Sequence, residues 1–192
     1  MLLLAHVFSL EEDVIIRKNS LWLLLVIMLF GAVQKLFSPN YLSGDYMNYV
    51  FNVGGLFPLL GLNSTMGAYF EENRVLVQEF ANTYPTMSGA VRLNLLFEHQ
   101  TVLIYWFSIF IILVEFLFVL ALFWKNEVYK HLFFLVFLIT VAFTRQETGF
   151  LSMLCFLCFT QLPQNMPKIF NFSYCFFFLG CLVFMFLKIG YH

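Results

Sequence analysis

Residues 101–124 read TVLIYWFSIFIILVEFLFVLALFW. The stretch holds a single charged residue, Glu115. As a helix rising about 1.5 Å per residue it is long enough for the roughly 30 Å hydrocarbon core of a bilayer with modest tilt. The rest of the chain has the same character. Of its 192 residues 61% are hydrophobic, 20% aromatic and only 11% charged, and the mean hydropathy is +0.85. A soluble domain carries roughly 25% charged residues and cannot bury so much apolar side chain in one core. The composition therefore predicts an all-α polytopic integral membrane protein. A formal net charge of −1 and the lack of any Lys/Arg cluster exclude a basic nucleic-acid-binding protein as the main reading.

Outward from 101–124, hydrophobicity predicts spans at about 20–37, 131–144, 149–162 and 169–189, giving four or five membrane helices in a single membrane domain. The segments around 131–143 and 150–160 are short for a crossing and are separated by Thr144-Arg145-Gln146-Glu147-Thr148-Gly149. They read either as two short helices or as one long helix broken in the middle. Residues 1–9 (MLLLAHVFS) are apolar, with no basic residue before them and no small-residue cleavage site after, which reads against a removed signal peptide.

Arg17, Lys18, Lys125, Lys130 and Lys168 fall on one side if the 131–160 region crosses and returns. Retention of positive charge then makes that side cytoplasmic. The expected location is a bacterial inner membrane, with the N-terminus cytoplasmic and residues 38–100 extracytoplasmic. A connection of that length is expected to carry structure of its own. Within it, 46–62 (YMNYVFNVGGLFPLLGL) is apolar but interrupted by glycines and Pro58, which suits an interfacial or re-entrant segment. Residues 71–83 (EENRVLVQEFANT) suit a short amphipathic helix on the membrane surface. Asn63-Ser64-Thr65 matches a glycosylation acceptor.

Residues 31–46, GAVQKLFSPNYLSGDY, close a hydrophobic helix with G-x-x-x-K-L and run through a short aromatic turn to S-G-D. This stretch resembles the horizontally transferred transmembrane (HTTM) domain of the vitamin K-dependent gamma-carboxylase family, in which a membrane helix ends in A-G-x-x-K-L followed by W-x-x-G. The later order resembles it too, with an intramembrane Glu, then two short helices around a polar break. A weaker likeness is to DoxX-like and methylamine-utilisation E-like membrane proteins, which also have G-x-x-K-L and a following helix with an intramembrane Glu. The likeness covers about residues 20–162, its specific motif 31–45. It implies an HTTM-like helical fold and, in the matching lysine, Lys35, the base of a carboxylase-like reaction.

The residues themselves carry two readings each. Lys35, one turn from a helix end, is a base if a desolvated pocket lowers its pKa, or a lysine snorkelling to the interface. Glu115, near the middle of a span, handles protons or contacts a ligand, or is a neutral carboxyl bonded to a neighbouring helix. Arg145 and Glu147, candidate cofactor-binding residues, pair with each other or with Lys35 and Glu115 if the break lies at membrane depth, where polar backbone survives only when buried in protein or lining a cavity; if 131–160 makes two full crossings they form an exposed turn. His99, beside Glu98, could join a cofactor site at the face that carries Asp45. Metal-ligand spacing is absent around it. Cys155-Phe156-Leu157-Cys158 is a C-x-x-C pair, read as thiol–disulfide chemistry or as two small packing residues. No Walker, Rossmann or G-x-S-x-G motif occurs.

Function expected from these readings is that of an accessory subunit of a larger membrane complex, contacting lipids and other membrane subunits and no nucleic acid, with a quinone or a lipid as the cofactor to look for. The alternatives are a quinone-linked enzyme using Lys35 as base with Glu115, and a thiol–disulfide oxidoreductase through Cys155 and Cys158.

Overall fold

The computed structural model describes residues 12–83, 91–145 and 147–186. The apolar N-terminal run at 1–9 and the side chain of Arg145 lie outside the described residues. The all-α expectation holds, since every regular element among the described residues is helical. The elements are α1 (Glu12–Leu36), α2 (Pro39–Leu42), α3 (Asp45–Asn52), a 3₁₀ turn (Pro58–Leu62), α4 (Ser64–Thr83), α5 (Gln100–Ala121), α6 (Glu127–Arg145), α7 (Thr148–Thr160) and α8 (Lys168–Phe186). Four of them are long and apolar enough to cross a membrane: α1 from Val14, α5, α6 to Thr144, and α8. The apolar α7 is shorter. The chain is an integral membrane protein.

It divides into two compact units. One comprises residues 1–34, 113–142 and 147–192. Its core is built on Phe118, whose ring stacks on Phe134 with centroids 4.6 Å apart and tilts against Phe137 at 4.8 Å. Leu24 and Met28 of α1, Leu138 of α6, Leu151 and Leu154 of α7 and Cys181 of α8 complete it. Among membrane helices such packing is held by dispersion contacts, because lipid tails solvate an exposed leucine as well as another helix does.

Within this unit α6 and α7 are an antiparallel pair, which decides between the two readings of the polar break. His131, at the start of α6, and Cys155, in the second half of α7, both meet Tyr174 of α8. The end of α7 therefore returns to the level where α6 began. Gly149, near the reversal, has open space around it.

The other unit comprises residues 35–112 and 143–146 and contains most of the long connection. Pro39 opens α2 at a position where a missing N–H costs nothing. Gly44 then reverses the chain at φ 82°, and a Cβ there would lie 3.0 Å from the Cα of Tyr105. Only glycine meets both demands. The amphipathic stretch expected at 71–83 is part of the longer α4, whose first turn is capped by Oδ1 of Asn63, accepting from the Thr65 N–H at 3.0 Å. The 46–62 segment becomes α3 and a 3₁₀ turn, tied to the end of α6 where the Phe57 N–H donates to the Thr144 carbonyl at 2.7 Å.

Candidate functional site

The residues singled out from sequence are distributed between the two units. Lys35 and His99 belong to one, Glu115, Glu147, Cys155 and Cys158 to the other. Lys35 is half-buried in the last turn of α1, and its Nζ sits 5.8 Å from the centre of the Tyr41 ring. That is a cation–π distance, and the ring itself is buried. His99 is exposed just before α5, where its carbonyl accepts from the Leu103 N–H at 3.1 Å. Glu115 is half-buried on α5. Glu147 is exposed at the N-cap position of α7. Both cysteines of the C-x-x-C pair are buried as free thiols in the core around Phe118, and Sγ of Cys155 donates to the Tyr174 carbonyl at 3.4 Å. A thiol closed in this way packs as a small apolar side chain and offers a partner disulfide no line of approach.

Two polar clusters that sequence reasoning did not single out are more highly organised. The first lies in the long connection. Gln100, fully buried at the first residue of α5, uses both hydrogens of its amide, donating to Oδ1 of Asn48 at 2.9 Å and Oδ1 of Asn52 at 2.8 Å. Its own oxygen accepts from the Leu96 N–H at 2.8 Å. The Tyr69 hydroxyl reaches Oδ1 of Asn52 and, at 2.8 Å, the Asn94 carbonyl. With one hydrogen it donates to one of these at a time. Asn73 clasps the same residue, accepting from the Asn94 N–H at 2.8 Å. Arg74 donates from Nε to the Val53 carbonyl at 2.9 Å. Burial pushes the Tyr69 phenol above its ordinary value, and the neighbouring amides of Gln100 and Asn73 oppose the shift. The cluster ties α3, α4 and the start of α5 together through amides. It supplies rigidity and neither a nucleophile nor a general base.

The second cluster is at one end of the Phe118 unit. His131 has no exposed surface. Its Nδ1 lies 3.0 Å from the Tyr174 hydroxyl, and its Nε2 lies 3.7 Å from Oε2 of Glu127, beyond hydrogen-bond reach. Glu127 is held by Lys130 at 2.6 Å. Nearby in the same unit, Arg17 and Gln161 bond reciprocally. The Gln161 amide donates to the Arg17 carbonyl at 2.6 Å, and the Arg17 guanidinium donates to the Gln161 carbonyl at 3.2 Å. These contacts pin the first turns of α1, the end of α7 and the paired starts of α6 and α8. The imidazole, closed off from solvent and bonded through Nδ1 to the Tyr174 hydroxyl, acts here as a link between α6 and α8.

The sequence does contain a signal for both clusters. Asn48 and Asn52 on α3 repeat at i and i+4 among apolar neighbours, and Tyr69 and Asn73 on α4 repeat at the same interval, which places each pair on one helix face. Glu127 and His131 repeat at the same interval. Which helices those faces meet is a tertiary matter. Among the described residues no group of three or more His, Cys, Asp or Glu is arranged to hold a metal ion.

No protein-family model, curated protein or solved structure matches the chain.

Proposed function

We propose that this integral membrane protein is an accessory subunit of a larger membrane complex, seated against a partner through the outward face of α8. The observation that carries the reading is the make-up of that face. Phe172 and Phe176 are each 70% exposed and stack on each other with ring centres 6.1 Å apart. Ile169, Leu179 and Val183 continue the strip. Asn171 and Cys175 are exposed on the same helix. Hydrocarbon solvates the apolar strip as well as a partner would, and Asn171, one turn from the start of α8, offers an amide that a facing helix can bond.

The orientation belongs to the same proposal. Arg17, Lys130 and Lys168 all stand at the helix ends gathered around Gln161, His131 and Tyr174. Such an end is retained in the cytoplasm of a bacterial inner membrane, with 38–100 on the far side. The HTTM-like order of the helices fits a membrane module that works beside other chains.

Cys175 is the exposed member of the four thiols, so a photoreactive maleimide placed there samples whatever covers α8. The test is purification in mild detergent after crosslinking in the native membrane, with mass spectrometry of proteins and small molecules together. A stoichiometric protein joined at Cys175 supports the reading. A chain that purifies without a protein partner but retains a quinone, lost on Lys35→Ala with folding intact, overturns it in favour of a Lys35-based enzyme.

A further inference from the structure

A groove of about 680 Å³ opens beside the turn between α5 and α6. Tyr129, Leu132, Phe133 and Val136 form its wall, one strip of α6 at i, i+3, i+4 and i+7. Trp124 lines it too, its ring 5.6 Å from that of Phe133. Lys125 stands at the rim and is exposed. Asn126 completes the rim, and its Oδ1 is occupied in capping α6, accepting from the Val128 and Tyr129 N–H groups at 3.1 and 3.2 Å.

We propose that this groove binds one anionic phospholipid, with the phosphate at the Lys125 ammonium and an acyl chain along Leu132, Phe133 and Val136. The chemistry is graded in the order such a lipid requires. A cation stands at the rim, two aromatic side chains with polar tips, Trp124 and Tyr129, come at the level where headgroup meets hydrocarbon, and an uninterrupted apolar wall lies below. Charge at the rim is net positive. The neighbouring acid, Glu127, is engaged by Lys130 at 2.6 Å on the side of α6 that carries His131, which leaves Lys125 to meet an incoming anion. A free phosphate would use the lysine and leave the wall unexplained. A neutral lipid would use the wall and leave the lysine unexplained. The proposal does not depend on the partner reading of α8.

Trp124 is itself a reporter. In a Trp22→Phe, Trp106→Phe background it is the single tryptophan of the chain. The protein is reconstituted in phosphatidylcholine vesicles containing a minor fraction of brominated phosphatidylglycerol or, in parallel, of brominated phosphatidylcholine. Bound brominated lipid quenches the indole. The expected preference for the anionic lipid is about fivefold, the worth of one lysine acting on one lipid charge near the surface. Lys125→Gln brings the two lipids to parity, Lys125→Arg retains the preference, and Lys168→Gln leaves it unchanged. Val136→Phe, which fills the lower wall at an exposed position, lowers quenching by both lipids. Equal quenching by the two lipids in the unsubstituted groove overturns the proposal. So does a preference that survives Lys125→Gln, competition by inorganic phosphate that removes it entirely, or indifference to Val136→Phe in a protein whose elution and melting are unchanged.

Discussion

The side-chain amide of Gln100 donates to Oδ1 of Asn52 at 2.8 Å, joining the first residue of α5 to the last residue of α3 across 48 positions of sequence. With its second hydrogen on Asn48 and its oxygen on the Leu96 N–H, Gln100 is the junction on which the long connection is hung. Gln100→Leu strands buried acceptors and a backbone donor and is expected to cost about 1–3 kcal/mol. Gln100→Glu is expected to be worse, because a carboxylate oxygen would face two carbonyl oxygens. Thermal unfolding in a fixed detergent checks the order. Equal melting temperatures for Gln100→Leu and the parent would refute the junction.

Tyr69 makes the same cluster sensitive to alkali. Burial raises its phenol above the ordinary value of 10.0, so the fold favours the neutral hydroxyl. Its contribution is fully present below pH 10 and is lost as pH rises through the folded-state value. The parent protein is expected to lose stability above pH 10 more steeply than Tyr69→Phe, which carries a constant loss of its hydrogen bonds instead. Parallel melting curves for the two proteins across that range would sink the assignment.

His131 and Tyr174 form a pair whose members need each other. Tyr174→Phe leaves Nδ1 of a fully buried histidine without that partner, and His131→Phe leaves the buried phenol hydroxyl without one. Each single change is expected to cost about 1–3 kcal/mol, and the double change less than the sum. A double-mutant cycle on thermal stability measures the coupling. Strict additivity would mean that the 3.0 Å contact does not link α6 to α8 energetically.

The thiols divide three to one. Cys155, Cys158 and Cys181 are buried and Cys175 is exposed, so a small apolar maleimide is expected to add once per folded chain in neutral detergent and four times after unfolding. Intact-mass measurement reads both numbers. A folded chain that takes label at Cys155 or Cys158 would restore the thiol-exchange reading of the C-x-x-C pair.

Much of the architecture was legible without coordinates, because a bilayer imposes its demand on composition alone. The stretch 101–124 is a membrane helix in any context, since no soluble core would bury it and Glu115 is the one charged residue within it. The candidate site was less legible. Lys35, Glu115, His99 and Glu147 attract notice because ionised groups are costly near hydrocarbon, yet charge in a sequence says nothing about which groups converge. Asn48, Asn52, Asn73 and Gln100 attract less, because the i, i+4 spacing of the asparagines marks a helix face without saying which residues that face meets.

The sequence by itself therefore determined the class of the protein and its helical character, which follow from local periodicity and from the free energy of transferring side chains one at a time. The tertiary structure alone decided that α6 and α7 return on each other, that the C-x-x-C pair is core, and that His131 and Gln100 are hubs. Those outcomes depend on contacts between residues tens of positions apart. Their energies belong to pairs, and no single position carries them.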